Sequence, residues 1–308
     1  MMFPVSSSNA ERPTVSVIVP VFNGEDVIAR CLRSLTAQTL HSLEILVVYK
    51  PGEDDTLRQI RSVDDPRIHM IIQKDNTGPG GARNMGIRAA AGRYIGFAEA
   101  DDFVDVDFYE RLYRSLETHE ADIAFGGSLC HEMPLVVHES ERELHGFTKI
   151  ISNLINGATF DKLFKAPLLK ENNIRFSEGL RWEDNLFIVM AAYFSCGIIT
   201  VPQTFYHYFP GRKTKEYWRR LECDGSYALH EIADFAQEAG MSEADKMTLR
   251  AFVYRSFACS VWDVSSVYQT MKQCFGVSLP MALCHYRKSI KRRWREARNA
   301  VHKGVYHG

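Results

Sequence analysis

The sequence predicts an α/β protein with a Rossmann-like, mostly parallel sheet flanked by helices, followed by an all-helical C-terminal region. Three observations support this prediction. Short apolar runs rich in valine and isoleucine alternate with helical periodicity over the first 126 residues. The runs are apolar along almost their whole length, which is typical of parallel strands covered on both faces. Beyond Gly211 the strand signals stop and long helical patterns begin.

The elements of the first part alternate regularly. Predicted strands cover residues 15–19, 43–49, 68–72, 94–98 and 122–126. Predicted helices cover residues 25–37, 54–61, 82–91 and a segment from near 104 to about 118. Ligands of such sheets bind beyond the carboxyl ends of the strands. The loops that begin at Tyr49, Thr77 and Glu99 are therefore expected at one edge of the sheet.

The second part is less regular, because residues 127–145 show no clear period. A helix is predicted over 183–195, and two short strands are predicted over 198–201 and 204–209. The chain is accordingly divided into three regions, at 14–126, 127–212 and 213–308.

Composition excludes several classes of protein. Of the 308 residues, 45% are hydrophobic and 24% are charged, as in ordinary globular proteins and unlike disordered or collagen-like chains. The seven cysteines form no C-x-x-C pair, which favours a reducing compartment over a disulfide framework. No signal-peptide pattern opens the sequence, and no apolar run reaches the roughly 20 residues of a membrane span. We therefore expect a cytoplasmic protein.

Three carboxylates follow the fourth predicted strand, at Glu99, Asp101 and Asp102. Like charges this close repel, so the turn favours either helix capping by Asp102 and Asp105 or a bound cation. A Mg²⁺ or Mn²⁺ ion is commonly held by one or two carboxylates together with substrate phosphates.

Four other features have two interpretations each. The glycine-rich segment before Arg83 is either a tight turn or an anion-binding helix start. Asp184 is either a helix N-cap or a general base. His207 is either a packed side chain or a metal or phosphate ligand, and Arg212 belongs to either a solvated charge run or a diphosphate clamp.

Seven short segments occur in a characteristic order. They are VIVPVFN at 17–23, SLTAQT at 34–39, EILVV at 44–48, NTGPGGARNMG at 76–86, EADD at 99–102, KLFK at 162–165 and EDNLF at 183–187. This ordered set resembles bacterial family 2 glycosyltransferases, which have the GT-A fold, and the resemblance covers residues 14–213.

The resemblance implies inverting transfer of a sugar from a nucleotide-sugar donor, with UDP the first expected nucleotide, using Mn²⁺ or Mg²⁺. The acceptor would be a glycan or a polyprenyl- or lipid-linked glycan of bacterial surface polysaccharide assembly, such as lipopolysaccharide. Region 14–126 would bind the donor and region 127–212 the acceptor.

The resemblance also assigns residues. Asp184 would be the catalytic base, supported by Trp182 and Glu183. Asp101 and His207 would bind the metal, and Asp102 would support their turn. The donor-binding residues that it implies are Pro20, Phe22, Asn23, Tyr49, Lys50, Gly81, Arg83, Asn84, Glu99, Ala100 and Arg212.

This chain departs from the family pattern at two places. Tyr49 and Lys50 replace a pair of aspartates, the second of which accepts the N3–H of uracil in the family. Lysine has donors but no acceptor. Either one of the carboxylates at 53–55 substitutes, Tyr49 stacks on the base, or the donor is not UDP-linked. At the second place, Glu99 stands for the usual first aspartate.

Two rival functions are open, the first of them because of the departure at Tyr49 and Lys50. The chain could be a non-catalytic GT-A-fold protein that acts in binding or scaffolding. It could also be a nucleotidyltransferase, although it lacks that group's extended glycine-rich loop.

The C-terminal tail is basic. Residues 285–308 contain eight lysines and arginines and one glutamate, while the whole chain has a formal charge of −1. Apolar residues recur there at steps of three and four, as in helices that lie on an anionic membrane surface. We expect peripheral attachment to the inner membrane, with packing on the body or on a second subunit of a homodimer as the alternative. No nucleic-acid motif accompanies the charge, so no nucleic-acid partner is expected.

Overall fold

The computed structural model describes residues 12–130, 133–154, 157–209, 215–258, 269–270 and 272–274. Arg212 and the basic tail lie outside the described residues, so their roles stay predictions. Within the described part no helix is both long enough and apolar enough to cross a bilayer.

The described strands and helices follow the predicted alternation in the first part of the chain and are less regular after Thr118. The strands are β1 (Val15–Val21), β2 (Leu43–Tyr49), β3 (Ile68–Ile72), β4 (Tyr94–Phe97), β5 (Phe103–Val104), β6 (Ile123–Cys130), β7 (Met133–Val136), β8 (Arg142–Leu144), β9 (Lys162–Lys165) and β10 (Ile198–Tyr208). The helices are α1 (Ile28–Thr36), α2 (Thr56–Arg61), α3 (Gly78–Ala89), α4 (Phe108–Thr118), α5 (Phe147–Asn153), α6 (Ala166–Glu171), α7 (Glu183–Phe194), α8 (Lys215–Glu238) and α9 (Glu243–Ala258).

All these strands belong to one sheet, whose main path runs β3-β2-β1-β4-β9-β6-β10-β5. The first four strands of that path are parallel, as their apolar runs predict. Strand β9 is antiparallel to β4 and to β6, and β10 returns parallel to β6. The predicted α/β class with a mostly parallel sheet is confirmed. The predicted boundary at 126/127 falls inside β6, so a single sheet spans both predicted regions.

Two apolar clusters cover the sheet, one on each face. One joins β1, β4 and β6 residues to helices α3, α5, α7, α8 and α9. The other joins alternate residues of the same strands to α1 and α4. Because both faces are buried, the exposed edge at the carboxyl ends of the strands is left for polar side chains.

The glycine-rich segment forms the first turn of α3, so this helix begins at Gly78 and not at the predicted residue 82. A Cβ at Gly80 would lie 2.1 Å from the Ser177 carbonyl oxygen, and one at Gly81 would lie 1.9 Å from Thr77 Oγ1. These glycines therefore allow the first turn of α3 to pack closely against the Ser177 backbone and the Thr77 side chain.

The region after the acidic turn also differs. Residues 103–104 form β5, which pairs with β10, and the helix begins only at Phe108. The two short strands expected at 198–201 and 204–209 are one strand, β10, whose register shifts between Thr200 and Phe205. Residues 127–145, which show no clear sequence period, contain the end of β6 and strands β7 and β8.

Candidate active site

Two elements bring acidic side chains to one place beside the carboxyl edge of the sheet, and a third element brings an arginine to them. The turn after β4 carries Glu99, and the first turn of α7 carries Glu183 and Asp184. Arg83 reaches all three from α3. The site therefore joins residues that lie 16 and 100 positions apart in the sequence.

Arg83 is a buried guanidinium that bridges two carboxylates directly. Its side chain is 4% exposed, its Nη2 lies 2.5 Å from Glu99 Oε1, and its Nη1 lies 2.7 Å from Glu183 Oε1. Burial opposes its charge, but Glu99, Asp184 and Glu183 more than offset that effect and hold the pKa of Arg83 well above its ordinary value. The fixed fork of an arginine suits two such bonds better than a lysine does.

Asp184 lies at the edge of this cluster. Its Oδ1 atom is buried, lies 3.8 Å from Arg83 Nη1 and accepts no hydrogen bond from the described residues. The side chain as a whole is 29% exposed. Burial raises the pKa of Asp184 to about 8, although the Arg83 charge opposes this effect. A carboxylate that is both reachable and easily protonated near neutral pH has the properties of a general base.

The helix-cap interpretation of Asp184 is wrong. Trp182 occupies the N-cap position in a left-handed conformation, with φ of 73°, and no side chain caps α7. Asp184 instead lies inside the first turn, where the helix dipole favours a negative charge. Trp182 packs beside the apolar cluster beneath the site.

Asp102 anchors the acidic turn to β10. Its Oδ2 accepts the Tyr206 hydroxyl at 2.7 Å, and its Oδ1 accepts the Phe209 N–H at 2.7 Å. The same Tyr206 oxygen accepts the Glu99 N–H at 2.9 Å. Burial raises the pKa of Asp102 to about 7 against the effect of these bonds. Both carboxylate oxygens are occupied, so Asp102 supports the turn and does not cap α4.

Asp101 is the carboxylate of the turn that has no side-chain hydrogen bond from any described residue. Burial, followed by the nearby Glu99 charge, raises its pKa. Arg30 holds its backbone carbonyl oxygen. Among the described residues no three histidine, cysteine or acidic side chains form a complete metal cluster. The Asp101 carboxylate, with Glu99 nearby, is the kind of oxygen donor that Mg²⁺ or Mn²⁺ takes together with phosphate and water.

His207 has partners of its own in the structure. Its Nε2 lies 2.7 Å from Asp105 Oδ1, and its ring stacks on Phe103 with centroids 4.3 Å apart. Asp105 Oδ2 accepts the Phe205 N–H and so holds β10 beside the acidic turn. Asp107, and not Asp105, occupies the N-cap position of α4. The metal role of His207 stays a prediction.

The predicted donor-binding residues divide into buried and exposed groups. Pro20 and Tyr49 are buried at the ends of β1 and β2, so Tyr49 is not available to stack on a base. Asn84 is also buried, where its amide bonds the backbone of Phe176 in both directions at 2.9 Å. Phe22 and Asn23 are exposed, while Ala100, beside the acidic turn, is half-buried.

Sequence reasoning missed several supporting residues. Tyr206 is one of them, because its partner Asp102 lies 104 positions away and no local pattern signals that bond. Asp161 and Lys162 form a fully buried ion pair at 2.6 Å. The Lys162 charge partly opposes the rise that burial causes in the pKa of Asp184. Lys162 is part of the KLFK segment, which is the one signal that pointed to it.

Comparison with known proteins identifies the family. The sequence model of the family described as glycosyl transferase family 2 matches residues 16–171, just over half of the chain. EpsH of Bacillus subtilis is 26% identical over 92% of this chain and 87% of its own length, and a glycosyltransferase activity is assigned to it. The succinoglycan biosynthesis protein ExoO of Rhizobium meliloti is 32% identical over 60% of this chain and 57% of its own. The poly(ribitol-phosphate) β-N-acetylglucosaminyltransferase TarS of Staphylococcus aureus is 26% identical, over 80% of this chain and 44% of its own.

Solved structures share the fold. The structure of residues 1–349 of S. aureus TarS with UDP-GlcNAc superposes with a TM-score of 0.73 at 20% identity, over 96% of this chain and 93% of the other. A mannosyltransferase of Pyrobaculum calidifontis with GDP-Man and Mn²⁺ gives a TM-score of 0.57 at 18% identity, over 94% and 83%. The predicted GT-A-like architecture is therefore confirmed.

The Tyr206–Asp102 bond generates a stability prediction. Tyr206→Phe leaves Asp102 Oδ2 without its hydroxyl donor and the Glu99 N–H without its acceptor, so we expect a loss of about 1–3 kcal/mol. Thermal unfolding should show a Tm lower by several degrees. Tyr227→Phe, at a side chain that is 64% exposed, is the matched control and should change stability by less than about 0.5 kcal/mol. Equal Tm values for the two variants would contradict the anchoring role.

Proposed function

This chain belongs to glycosyltransferase family 2, and we propose that it transfers a sugar from a nucleoside-diphosphate sugar to a hydroxyl group of a glycan or lipid-linked glycan, with inversion. The observation that carries the proposal is the arrangement around Arg83. The partly exposed Asp184 carboxylate is suited to act as a base, and the acidic turn is suited to hold a metal ion. The two lie on separate elements, and the one buried Arg83 guanidinium contacts both. An inverting displacement needs its base and its leaving-group site on opposite sides of the sugar.

The acidic turn supplies the leaving-group side. Asp101, with Glu99 nearby, would hold Mn²⁺ or Mg²⁺ against the donor diphosphate. A divalent ion there would stabilise the negative charge of the departing nucleoside diphosphate. Asp102 would contribute by position, because Tyr206 and Phe209 hold it and thereby fix the turn.

Asp184 supplies the acceptor side. Its carboxylate would accept the proton of the acceptor hydroxyl while the hydroxyl oxygen attacks the anomeric carbon. The new carbon–oxygen bond forms as the bond to the diphosphate oxygen breaks, and the nucleoside diphosphate leaves with that electron pair. Glu183 and Arg83 would position Asp184 through the contacts described above.

The acceptor class follows from the named relatives. TarS acts on poly(ribitol-phosphate), and ExoO belongs to succinoglycan biosynthesis. Both names concern bacterial polymers that carry or consist of sugars, which supports a polymeric or lipid-linked glycan as the acceptor for this chain. UDP is the nucleotide in one TarS complex, which supports the UDP-sugar donor implied by the family resemblance.

The charge of the tail supports peripheral attachment to the cytoplasmic face of an anionic membrane. Residues 285–308 carry a surplus of seven positive charges, eight basic minus one acidic. At about 1 kcal/mol for each basic residue near such a surface, a few engaged residues give reversible binding.

The catalytic role of Asp184 can be tested by donor turnover. Asp184→Asn should lower kcat by about 10²–10⁴-fold, because the amide cannot accept the proton, while nucleotide binding is retained. Release of nucleoside diphosphate from a panel of nucleotide sugars measures this loss. Glu171→Gln, an exposed carboxylate on α6, is the control and should keep normal turnover. Normal turnover in Asp184→Asn would remove the base from the mechanism.

The same carboxylate predicts the pH profile. The base works only when ionised, and its ionised fraction increases as pH rises through a pKa of about 8. We therefore expect kcat/KM of the unmodified protein to increase through a midpoint at about pH 8 and to level off only above it. A profile that is flat between pH 6 and pH 9 would contradict the assignment.

Metal-dependent donor binding can be tested by thermal shift with UDP, GDP, dTDP and CMP, each with and without Mn²⁺. A ligand at 100 times its Kd stabilises the folded state by about 2.7 kcal/mol, or several degrees in Tm. We expect a manganese-dependent shift that Asp101→Asn abolishes and that the exposed control Asp64→Asn retains. An absence of any shift with all four nucleotides would favour the non-catalytic binding protein.

Membrane attachment can be tested by co-sedimentation with vesicles. We expect binding to phosphatidylglycerol vesicles, little binding to phosphatidylcholine vesicles, and release at high salt, because salt screens surface charge. Replacing Arg292 and Arg295 by glutamine should weaken the binding. Equal binding to both kinds of vesicle would contradict an electrostatic tail.

A further inference from the structure

A cluster at the carboxyl ends of β1, β2 and β3 takes no part in the steps above. Phe22 follows β1, Lys50 follows β2, and Asn76 lies in the loop after β3. Phe22 is 53% exposed, although the Lys50 ammonium lies over its ring, 4.5 Å from the centroid. An exposed aromatic ring beside a cation is a surface on which a flat polar ring can stack.

The loop after β2 and the backbone at Asn23 hold this surface in place. A Cβ at Gly52 would lie 2.0 Å from Asn23 Oδ1 and 3.4 Å from the Phe22 ring, so the loop after β2 packs closely on both residues. Asn23 has a φ of 49°, in the left-handed region that asparagine tolerates. The ring and the ammonium therefore have defined positions relative to the sheet edge.

Lys50 and Asn76 present hydrogen-bond donors. Lys50 Nζ donates to Asn76 Oδ1 at 2.7 Å. This bond uses the amide oxygen of Asn76, so the groups that the pair has left for a ligand are ammonium N–H and amide N–H groups. Both kinds of group are donors.

Two of the carboxylates next along the chain are engaged elsewhere. Asp54 accepts the Thr56 hydroxyl at 2.7 Å and the Glu25 N–H at 3.2 Å. Asp55 pairs with Arg58 at 2.7 Å. Of the three substitutes considered for a uracil-binding carboxylate, these two are thus already used, and Glu53 is left with an exposed side chain.

Nucleobases differ in how they meet a pair of donors. The pairing edge of uracil places its N3–H donor between two carbonyl oxygens, so an ammonium opposite N3 faces another donor. Cytosine has the adjacent acceptors N3 and O2, and guanine has the adjacent acceptors O6 and N7, which lysine contacts in protein–DNA complexes. The donor pair fits either of these two bases better than it fits uracil.

We propose that Lys50, held by Asn76 and Phe22, selects the donor nucleotide by its base and favours a cytosine or guanine nucleotide over a uracil nucleotide. This inference rests on the donor site of the proposed function and departs from the UDP donor that the family resemblance implies. It makes Lys50 a specificity-determining residue of this chain.

Calorimetric titration of the full chain with CDP, GDP and UDP in the presence of Mn²⁺ tests the inference. We expect CDP or GDP to bind at least about tenfold more tightly than UDP, the ratio of one good pair of base contacts. Lys50→Asp should shift the preference toward UDP, because aspartate accepts the N3–H. Lys74→Asp makes the same charge change at an exposed neighbour and should keep the original order of affinities.

The outcomes separate this inference from the proposed function. Tightest binding of UDP by the unmodified chain, or an unchanged order in Lys50→Asp, overturns the base selectivity. If that binding still depends on Mn²⁺ and on Asp101, the proposed function stands. No binding of any of the three nucleotides would overturn both proposals.

Discussion

The site depends on one buried guanidinium. Arg83 joins the acidic turn, through Glu99, to the start of α7, through Glu183, and lies 3.8 Å from Asp184. One positive charge thus faces three carboxylates, so the cluster is short of positive charge when all three are ionised. This shortage acts together with burial to raise the pKa of Asp184 and of the neighbouring Asp101. Removing the cation from such a buried cluster typically costs about 3–5 kcal/mol.

The order of the strands makes this convergence possible. Strand β9 inserts between β4 and β6, antiparallel to both, and so places the chain that leads to α7 beside the end of β4. Strand β10 then returns along β6 and carries Tyr206 to the acidic turn. The glycines at the start of α3 let that helix pack on the segment before α7, which brings Arg83 within reach of Glu183. The fold therefore assembles the site from both predicted regions.

The sequence predicted the framework better than the contacts. Strands β2 and β3 match the predicted bounds, because their apolar runs end at polar or glycine-containing turns. The acidic turn and the first turn of α7 were recognised because carboxylates cluster in them. The Arg83–Glu183 and Tyr206–Asp102 pairs were not predictable, since partners about 100 residues apart meet only through the strand order. Residues 127–145 were not recognised as strands, because β7 and β8 are short and pair at the margins of the sheet.

The most direct test of this account is the kcat/KM of Arg83→Lys for release of nucleoside diphosphate from the preferred donor. Lysine keeps the charge but cannot hold two carboxylates with a fixed fork. The account predicts a circular dichroism spectrum close to that of the unmodified protein together with a kcat/KM at least about 100-fold lower, because small displacements of catalytic groups have effects of that size. An unchanged kcat/KM would show that the geometry held by Arg83 is not what the site depends on.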